Sequence, residues 1–106
     1  MAVPGIQAEE LNRRLMAGED LLLLDVREEY EYEVSNIGGR LIPLAQLSRR
    51  IQELDAGQEI VALCKMGARG AQAVQILQKA GFSRVSNLSG GIRAWSERVD
   101  PAVPKY

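Results

Sequence analysis

Apolar residues in this chain fall in short blocks of two kinds. Leu21 to Val26, interrupted only by Asp25, and Ile60 to Leu63 are nearly continuous runs. Runs of this length predict strands covered on both faces, with Leu21 to Val26 as a central strand. Val85 to Leu88 reads as the last strand, Arg40 to Ile42 as a brief one ended by Pro43, and Ile6 as the start of a short edge strand. Between these blocks the spacing changes to three and four residues. Leu11 and Leu15 lie in Ala8 to Ala17; Leu44, Leu47, Ile51 and Leu54 line Ala45 to Leu54; Gly70, Ala73, Val74 and Leu77 share a face of Arg69 to Ala80; Ile92, Trp95 and Val99 share a face of Ile92 to Val99. Each predicts a helix with one buried side, and Gly18 and Gly81 are expected to stop two of them. Trp95 is expected to anchor the core. Met1 to Gly5 reads as a loose leader, and Pro101 and Pro104 predict an extended tail.

Alternation of short strands and helices predicts an α/β sandwich with a mostly parallel sheet of about five strands. With 106 residues the chain is expected to form a single domain over 1–106. Strand order does not follow from the pattern. Glu28 to Val34 predicts a short helix whose carboxylates (Glu28, Glu29, Glu31 and Glu33) form a solvated face. Asn36-Ile37-Gly38-Gly39 and Ser89-Gly90-Gly91 predict turns, the second letting backbone approach the core closely.

Composition narrows the chemistry. There is no histidine, which removes the usual general base and the commonest zinc ligand, so no metal or cofactor is expected. A single cysteine permits no internal disulfide and suits a reducing, cytoplasmic setting. A net charge of −1 without long runs of one sign gives no sign of nucleic-acid binding. No apolar run approaches membrane-spanning length, and no secretory leader is expected.

That cysteine, Cys64, falls between a predicted strand and a predicted helix, in the tight loop Cys64-Lys65-Met66-Gly67-Ala68-Arg69. Free N–H groups at a helix start and in the loop before it converge on an anion site. A thiolate placed there is stabilised by those donors and by the positive end of the helix dipole. Lys65 and Arg69 add cations. A lone cysteine is often just a small buried hydrophobe, but such a cysteine needs neither the glycine three residues on nor the arginine five residues on. Asp25 and Arg27 close the strand over Leu21 to Val26, and strand ends of a parallel sheet line its crevice. Asp25 is read chiefly as an acceptor of loop N–H groups. Arg27 stays open between pairing with a glutamate and meeting an anionic donor at the rim.

Cys64-Lys-Met-Gly67-Ala-Arg69 resembles the Cys-x-x-Gly-x-Arg loop of rhodanese-like sulfurtransferases. Leu24-Asp25-Val26-Arg27, Glu29-Tyr30-Glu31, Ile42-Pro43-Leu44 and Leu88-Ser-Gly90-Gly91-Ile-Arg-Ala94-Trp95 follow in that family's order. The tail Asp100-Pro101-Ala-Val-Pro104-Lys-Tyr106 is similar to that of rhodanese domains fused to adenylyltransferases of molybdopterin and thiamin synthesis. Asn36 stands where the family usually has histidine. The resemblance implies a three-layer α/β/α rhodanese-like sandwich. It further implies that Cys64 is the nucleophile, that Lys65, Met66, Gly67, Ala68, Arg69 and Arg27 surround the donor, and that Asp25 supports them.

The function expected is double displacement. Cys64 takes a sulfane sulfur from thiosulfate or a persulfide and hands it to a nucleophile, with a ubiquitin-like sulfur carrier as an acceptor. A thiolate nucleophile needs no general base, which suits a chain without histidine. A cysteine-dependent phosphatase or arsenate reductase is the rival enzyme, but its Cys-x5-Arg loop is one residue longer. A non-catalytic protein-binding module is the third reading, and keeping Cys64, Gly67 and Arg69 together argues against it.

Overall fold

A computed structural model describes residues 3–106. Five strands, β1 (Gly5–Ile6), β2 (Leu22–Asp25), β3 (Arg40–Leu41), β4 (Ile60–Leu63) and β5 (Val85–Leu88), form one sheet in the order β1-β5-β4-β2-β3. Every pairing is parallel, so the expectation of a mostly parallel sheet becomes an entirely parallel one. The helices are α1 (Ala8–Met16), α2 (Glu29–Val34), α3 (Leu44–Leu47), α4 (Ala68–Lys79) and α5 (Gly91–Arg98).

Alternation along the strands sorts the core into two halves. Leu24, Val26, Ile60, Ala62 and Cys64 face Leu47, Ala73, Val74 and Leu77 from α3 and α4. Leu23, Val61 and Leu63 face Leu11, Ile92 and Trp95 from α1 and α5. Each fully buried leucine contributes about 1.5–3 kcal/mol, so both layers are needed for a chain this short. Connections running toward β1 carry α3 and α4 on one face, and the connection from β1 to β2 carries α1 on the other, as right-handed crossovers require. β2 and β4 are neighbours whose onward connections run to opposite edges. Their carboxyl ends therefore open a crevice, and Cys64 follows β4 directly into it.

Departures from the sequence reading are local. The helix expected over Ala45 to Leu54 begins as α3 and tightens into a three-residue-per-turn helix, Ser48–Glu53. Leu44 and Leu47, then Ile51 and Leu54, are each three apart, and a three-residue turn stacks such pairs on one side. Of the expected leader, residues 1 and 2 lie outside the described residues. Val3 packs on the core and the Pro4 carbonyl accepts the Asn87 N–H at 2.9 Å, so this part is docked rather than loose. The tail is not simply extended. Asp100 accepts the Ala102 N–H with its carboxylate and the Val103 N–H with its carbonyl. Asp followed by Pro is a turn opening, and that signal outweighs the prolines' extended preference.

Candidate functional site

The site is built on the reversal from β4 to α4. Gly67 precedes α4 with φ at 117°, a left-handed conformation that a side chain would strain. Gly67 also offers no side chain to cap the helix. Cys64 Sγ fills that role from within the loop, accepting the Gly67 N–H at 3.1 Å and the Gly70 N–H at 3.3 Å. Gly70 is the third residue of α4, so the sulfur satisfies one of the helix's orphan donors. The thiol is 1% exposed.

Neighbouring elements fix the orientation of the loop peptides. The Cys64 carbonyl accepts the Ile92 N–H at 2.8 Å and the Lys65 carbonyl accepts the Arg93 N–H at 3.0 Å, both from the start of α5. The Gly67 carbonyl accepts Asn87 Nδ2 at 3.0 Å. In a planar trans peptide the N–H opposes the C=O. Holding these carbonyls toward α5 and β5 therefore turns the N–H groups of Lys65, Met66 and Ala68 the other way. Among the described residues, the amides of Lys65, Met66, Ala68 and Arg69 have no protein acceptor. Gly91 lets α5 approach this closely: a Cβ there would stand 2.3 Å from the Cys64 carbonyl oxygen, at a φ of 61°. The close approach expected of Ser89-Gly90-Gly91 is thus onto the cysteine loop itself.

The cations expected around Cys64 have separate fates. Arg27 is not at the rim. It is fully buried, with Nη2 2.6 Å from Asp25 Oδ2 and Nε 2.9 Å from Asp25 Oδ1. Its remaining donors go to the carbonyls of Ser35, at 2.6 Å, and Glu31, at 3.3 Å. A guanidinium so deep in the fold requires this many acceptors, so its open reading resolves to a structural pair with Asp25 rather than with a glutamate. Asp25 accepts one backbone N–H, that of Arg27, at 3.1 Å.

Arg69 opens the first turn of α4, and its guanidinium is a third exposed, forked onto Glu31 at 2.6 Å and 2.9 Å. Glu31 is the exception to the solvated acidic face, being 5% exposed. Its carboxylate also accepts the Glu28 N–H at 2.8 Å, closing a capping box on α2. The Arg69 guanidinium, helped by that N–H, holds the Glu31 carboxyl below the ordinary carboxylate range, against the opposing effect of burial. Glu31 and Asn87 are the site residues that sequence reasoning missed. The Glu28-x-x-Glu31 spacing signalled the capping box, but nothing local signalled the partner in α4. Lys65 and Met66 are exposed at the mouth, and Lys65 Nζ stands 5.4 Å from the centroid of the Tyr106 ring. Ala68 contributes its backbone.

The sequence pattern of the rhodanese-like domain matches residues 7–98. A sulfurtransferase from Allochromatium vinosum is 37% identical over 92% of this chain and 92% of its own length. An adenylyltransferase and sulfurtransferase from Zea mays is 34% identical over 95% of this chain, but the match spans 23% of that protein. Several curated relatives are longer than this chain in the same way, which spans between 23% and 54% of their length. A human single-domain sulfurtransferase superposes with a TM-score of 0.83 at 28% identity, covering 92% of this chain and 98% of that one.

Two predictions test these assignments. Arg27→Met should lower the stability by about 3–5 kcal/mol in urea denaturation, because it strands a buried carboxylate. Retained stability with a raised KM for an anionic donor would instead return Arg27 to the rim. Glu31→Gln should cost about 1–3 kcal/mol at neutral pH. The Glu31 carboxyl is depressed in the folded state, so the pair's contribution is complete above the ordinary carboxylate range and fades as pH falls through the folded value. The gap in urea midpoint between native and Glu31→Gln proteins should therefore close in acid. A gap independent of pH would reject the ion pair as its source.

Proposed function

The chain belongs to the rhodanese-like domain family, and on that footing we propose that Cys64 accepts a sulfane sulfur from thiosulfate or a low-molecular-weight persulfide and passes it on as a cysteine persulfide. Sulfur transfer is the activity that the family and its sulfurtransferase members support. The observation that carries the finer reading is the direct bonding of Cys64 Sγ by the Gly67 and Gly70 amides, in a loop whose Lys65, Met66, Ala68 and Arg69 amides have no protein acceptor among the described residues.

The chemistry is a double displacement. The Cys64 thiolate attacks the outer sulfur of thiosulfate. A bond forms between Sγ and that sulfur, the sulfur–sulfur bond of the donor breaks, and sulfite leaves with the bonding pair. The persulfide is anionic, and the free amides of Lys65, Met66, Ala68 and Arg69 are the donors for its terminal sulfur. An incoming nucleophile then attacks that terminal sulfur, taking it and returning the Cys64 thiolate. Charge balances in both steps and no proton need be moved, which suits a site without histidine. With Arg69 matched by Glu31, Lys65 is the cation left to draw in an anionic donor.

Likeness to an adenylyltransferase and sulfurtransferase supports a protein acceptor, and we take this to be a ubiquitin-like sulfur carrier whose C-terminal carboxyl arrives as an acyl adenylate. The terminal sulfur of the persulfide attacks the acyl carbon, and adenylate leaves. An external dithiol, itself oxidised to a disulfide, reduces the acyl disulfide to a thiocarboxylate and the Cys64 thiolate. No described helix is long and apolar enough to cross a membrane. A reducing compartment such as the cytoplasm keeps the sole thiol ready for reaction.

The short loop also argues against the phosphatase reading. Two of its amides bond Sγ directly, and a loop of six residues closes a smaller cradle than the longer phosphatase loop, suited to one further sulfur rather than a phosphate with four oxygens. Incubation with thiosulfate should add the mass of one sulfur atom to the intact protein, reversed by cyanide or dithiothreitol. A Cys64→Ser protein that still gained it would sink the assignment. Aryl phosphate hydrolysis should be absent from the native protein. Cys64-dependent hydrolysis without sulfur transfer would overturn the reading in favour of a phosphatase.

A further inference from the structure

The mouth of the Cys64 loop has an aromatic wall made by two segments distant in sequence. Tyr30 lies on α2, and Tyr106 lies in the tail. Their rings meet edge to face, with centroids 6.2 Å apart and planes at 81°. The tail is brought there by its own contacts. Asp100 holds the turn, Val103 packs against the layer containing Trp95, and Ser35 Oγ donates to the Pro104 carbonyl at 2.7 Å. Both rings remain substantially exposed, so the core does not explain them. What Tyr106 does touch is Lys65, whose ammonium stands 5.4 Å from the ring centroid. Lys65 has no carboxylate within ion-pair distance among the described residues, unlike Arg69 with Glu31.

We propose that Tyr106 is a positioning residue for Lys65: its ring, braced by Tyr30, holds the ammonium at the mouth of the loop, where it receives the anionic sulfur donor. This rests on the reading of Lys65 as the donor-binding cation. A lysine ammonium on a four-carbon stem otherwise samples many positions. A ring face within about 6 Å of an ammonium attracts it through the ring quadrupole. The choice of an aromatic partner matters chemically. A carboxylate would hold Lys65 equally well but would cancel its charge, and the site would then meet a dianion such as thiosulfate without a free cation. A neutral ring restricts the ammonium and leaves its charge available. The donor then finds a cation already placed, so less freedom is lost on binding.

The effect belongs in KM, since Tyr106 touches neither the sulfur nor the loop amides. Thiosulfate:cyanide sulfur transfer should show Tyr106→Leu raising the KM for thiosulfate about two- to five-fold, with kcat held. Tyr106→Phe, which keeps the ring, should behave as the native protein. In a Lys65→Met background, Tyr106→Leu should add nothing further. An equal KM rise in that background, or a Tyr106→Phe protein as impaired as Tyr106→Leu, would overturn the proposal. A second measurement does not depend on activity. The ε-methylene protons of Lys65 should carry an upfield ring-current shift in the NMR spectrum, kept in Tyr106→Phe and lost in Tyr106→Leu. Absence of that shift in the native protein would refute the contact. If the shift is present and Lys65→Met raises KM, but Tyr106→Leu does not, the positioning role fails while the donor-binding role of Lys65 stands. If Lys65→Met leaves KM unchanged, the donor-binding reading fails first, and the positioning role falls with it.

Discussion

Cys64 Sγ accepts backbone N–H bonds from Gly67 and Gly70, and the arrangement of this protein follows from making that possible. A loop can aim several amides at one atom only if the opposing carbonyls have somewhere else to go. Two of those carbonyls, of Cys64 and Lys65, go to the first amides of α5, and that of Gly67 goes to Asn87 on β5 and to the Ala71 amide of α4. The start of α5 thus does two jobs. Two of its orphan N–H groups are satisfied, and the loop carbonyls are held away from the sulfur. This is why the Gly90-Gly91 turn belongs to the site although it lies far from Cys64 in the chain. It is also why the layer containing Ile92 and Trp95 matters to chemistry on the opposite side of the sheet: burying that face of α5 seats the helix start against the cysteine loop.

Around the cradle the charges divide into those committed to structure and those left over. Asp25, Arg27, Glu31 and Arg69 form a chain from the end of β2, through α2, to the first turn of α4. The Asp25–Arg27 and Glu31–Arg69 links are multiply bonded guanidiniums, the geometry that makes burial of such charge tolerable, and a single bond from Arg27 to the Glu31 carbonyl joins them. The chain ties the two strand ends that flank the crevice, so its members set the distance between α2 and the cysteine loop. The fork of Arg69 is occupied by the Glu31 carboxylate. Lys65 is therefore the cation with freedom to meet a ligand. Lys65 stands exposed at the rim, and the Arg69 guanidinium is held by Glu31.

Features that depend on neighbours in sequence were legible. The run Ile60 to Leu63, the face Gly70-Ala73-Val74-Leu77 and the stop at Gly81 are each set by residues within a few positions, and the strand and the buried face appear as read. Gly81 takes a positive φ of 96°. The cysteine loop was legible for the same reason, since its strand–turn–helix geometry is local. Glu31 was not. Its capping role is local, but its burial comes from Arg69, which is distant in sequence, and a run of glutamates gives no sign of which one turns inward. The tail was misread because proline was weighed as an extended residue, when Asp100 before Pro101 had already begun a turn. The pairing of Tyr106 with Lys65 and Tyr30 needed the fold, since no periodicity joins a tail to a loop.

Asn87 shows how far the fold goes to hold this cradle. Its Nδ2 donates to the Gly67 carbonyl, while its Oδ1 is buried without a partner among the described residues. Such an orphan costs about 1–3 kcal/mol. Exchanging the amide atoms would not help, because it would set an oxygen against the Gly67 carbonyl and leave that carbonyl without its side-chain donor. Gly70 leaves room for that oxygen, because a Cβ there would stand 2.1 Å from Oδ1. A hydrophobic residue at this place on β5 would remove the unpaired oxygen and would suit the sheet better. It would also remove the side-chain donor from the Gly67 carbonyl, leaving the Ala71 N–H to hold the peptide that aims the Ala68 amide. The stability forgone at Asn87 is thus tied to the orientation of the amides around Cys64. Polar groups left unsatisfied in a core have that character at sites where geometry is held for chemistry.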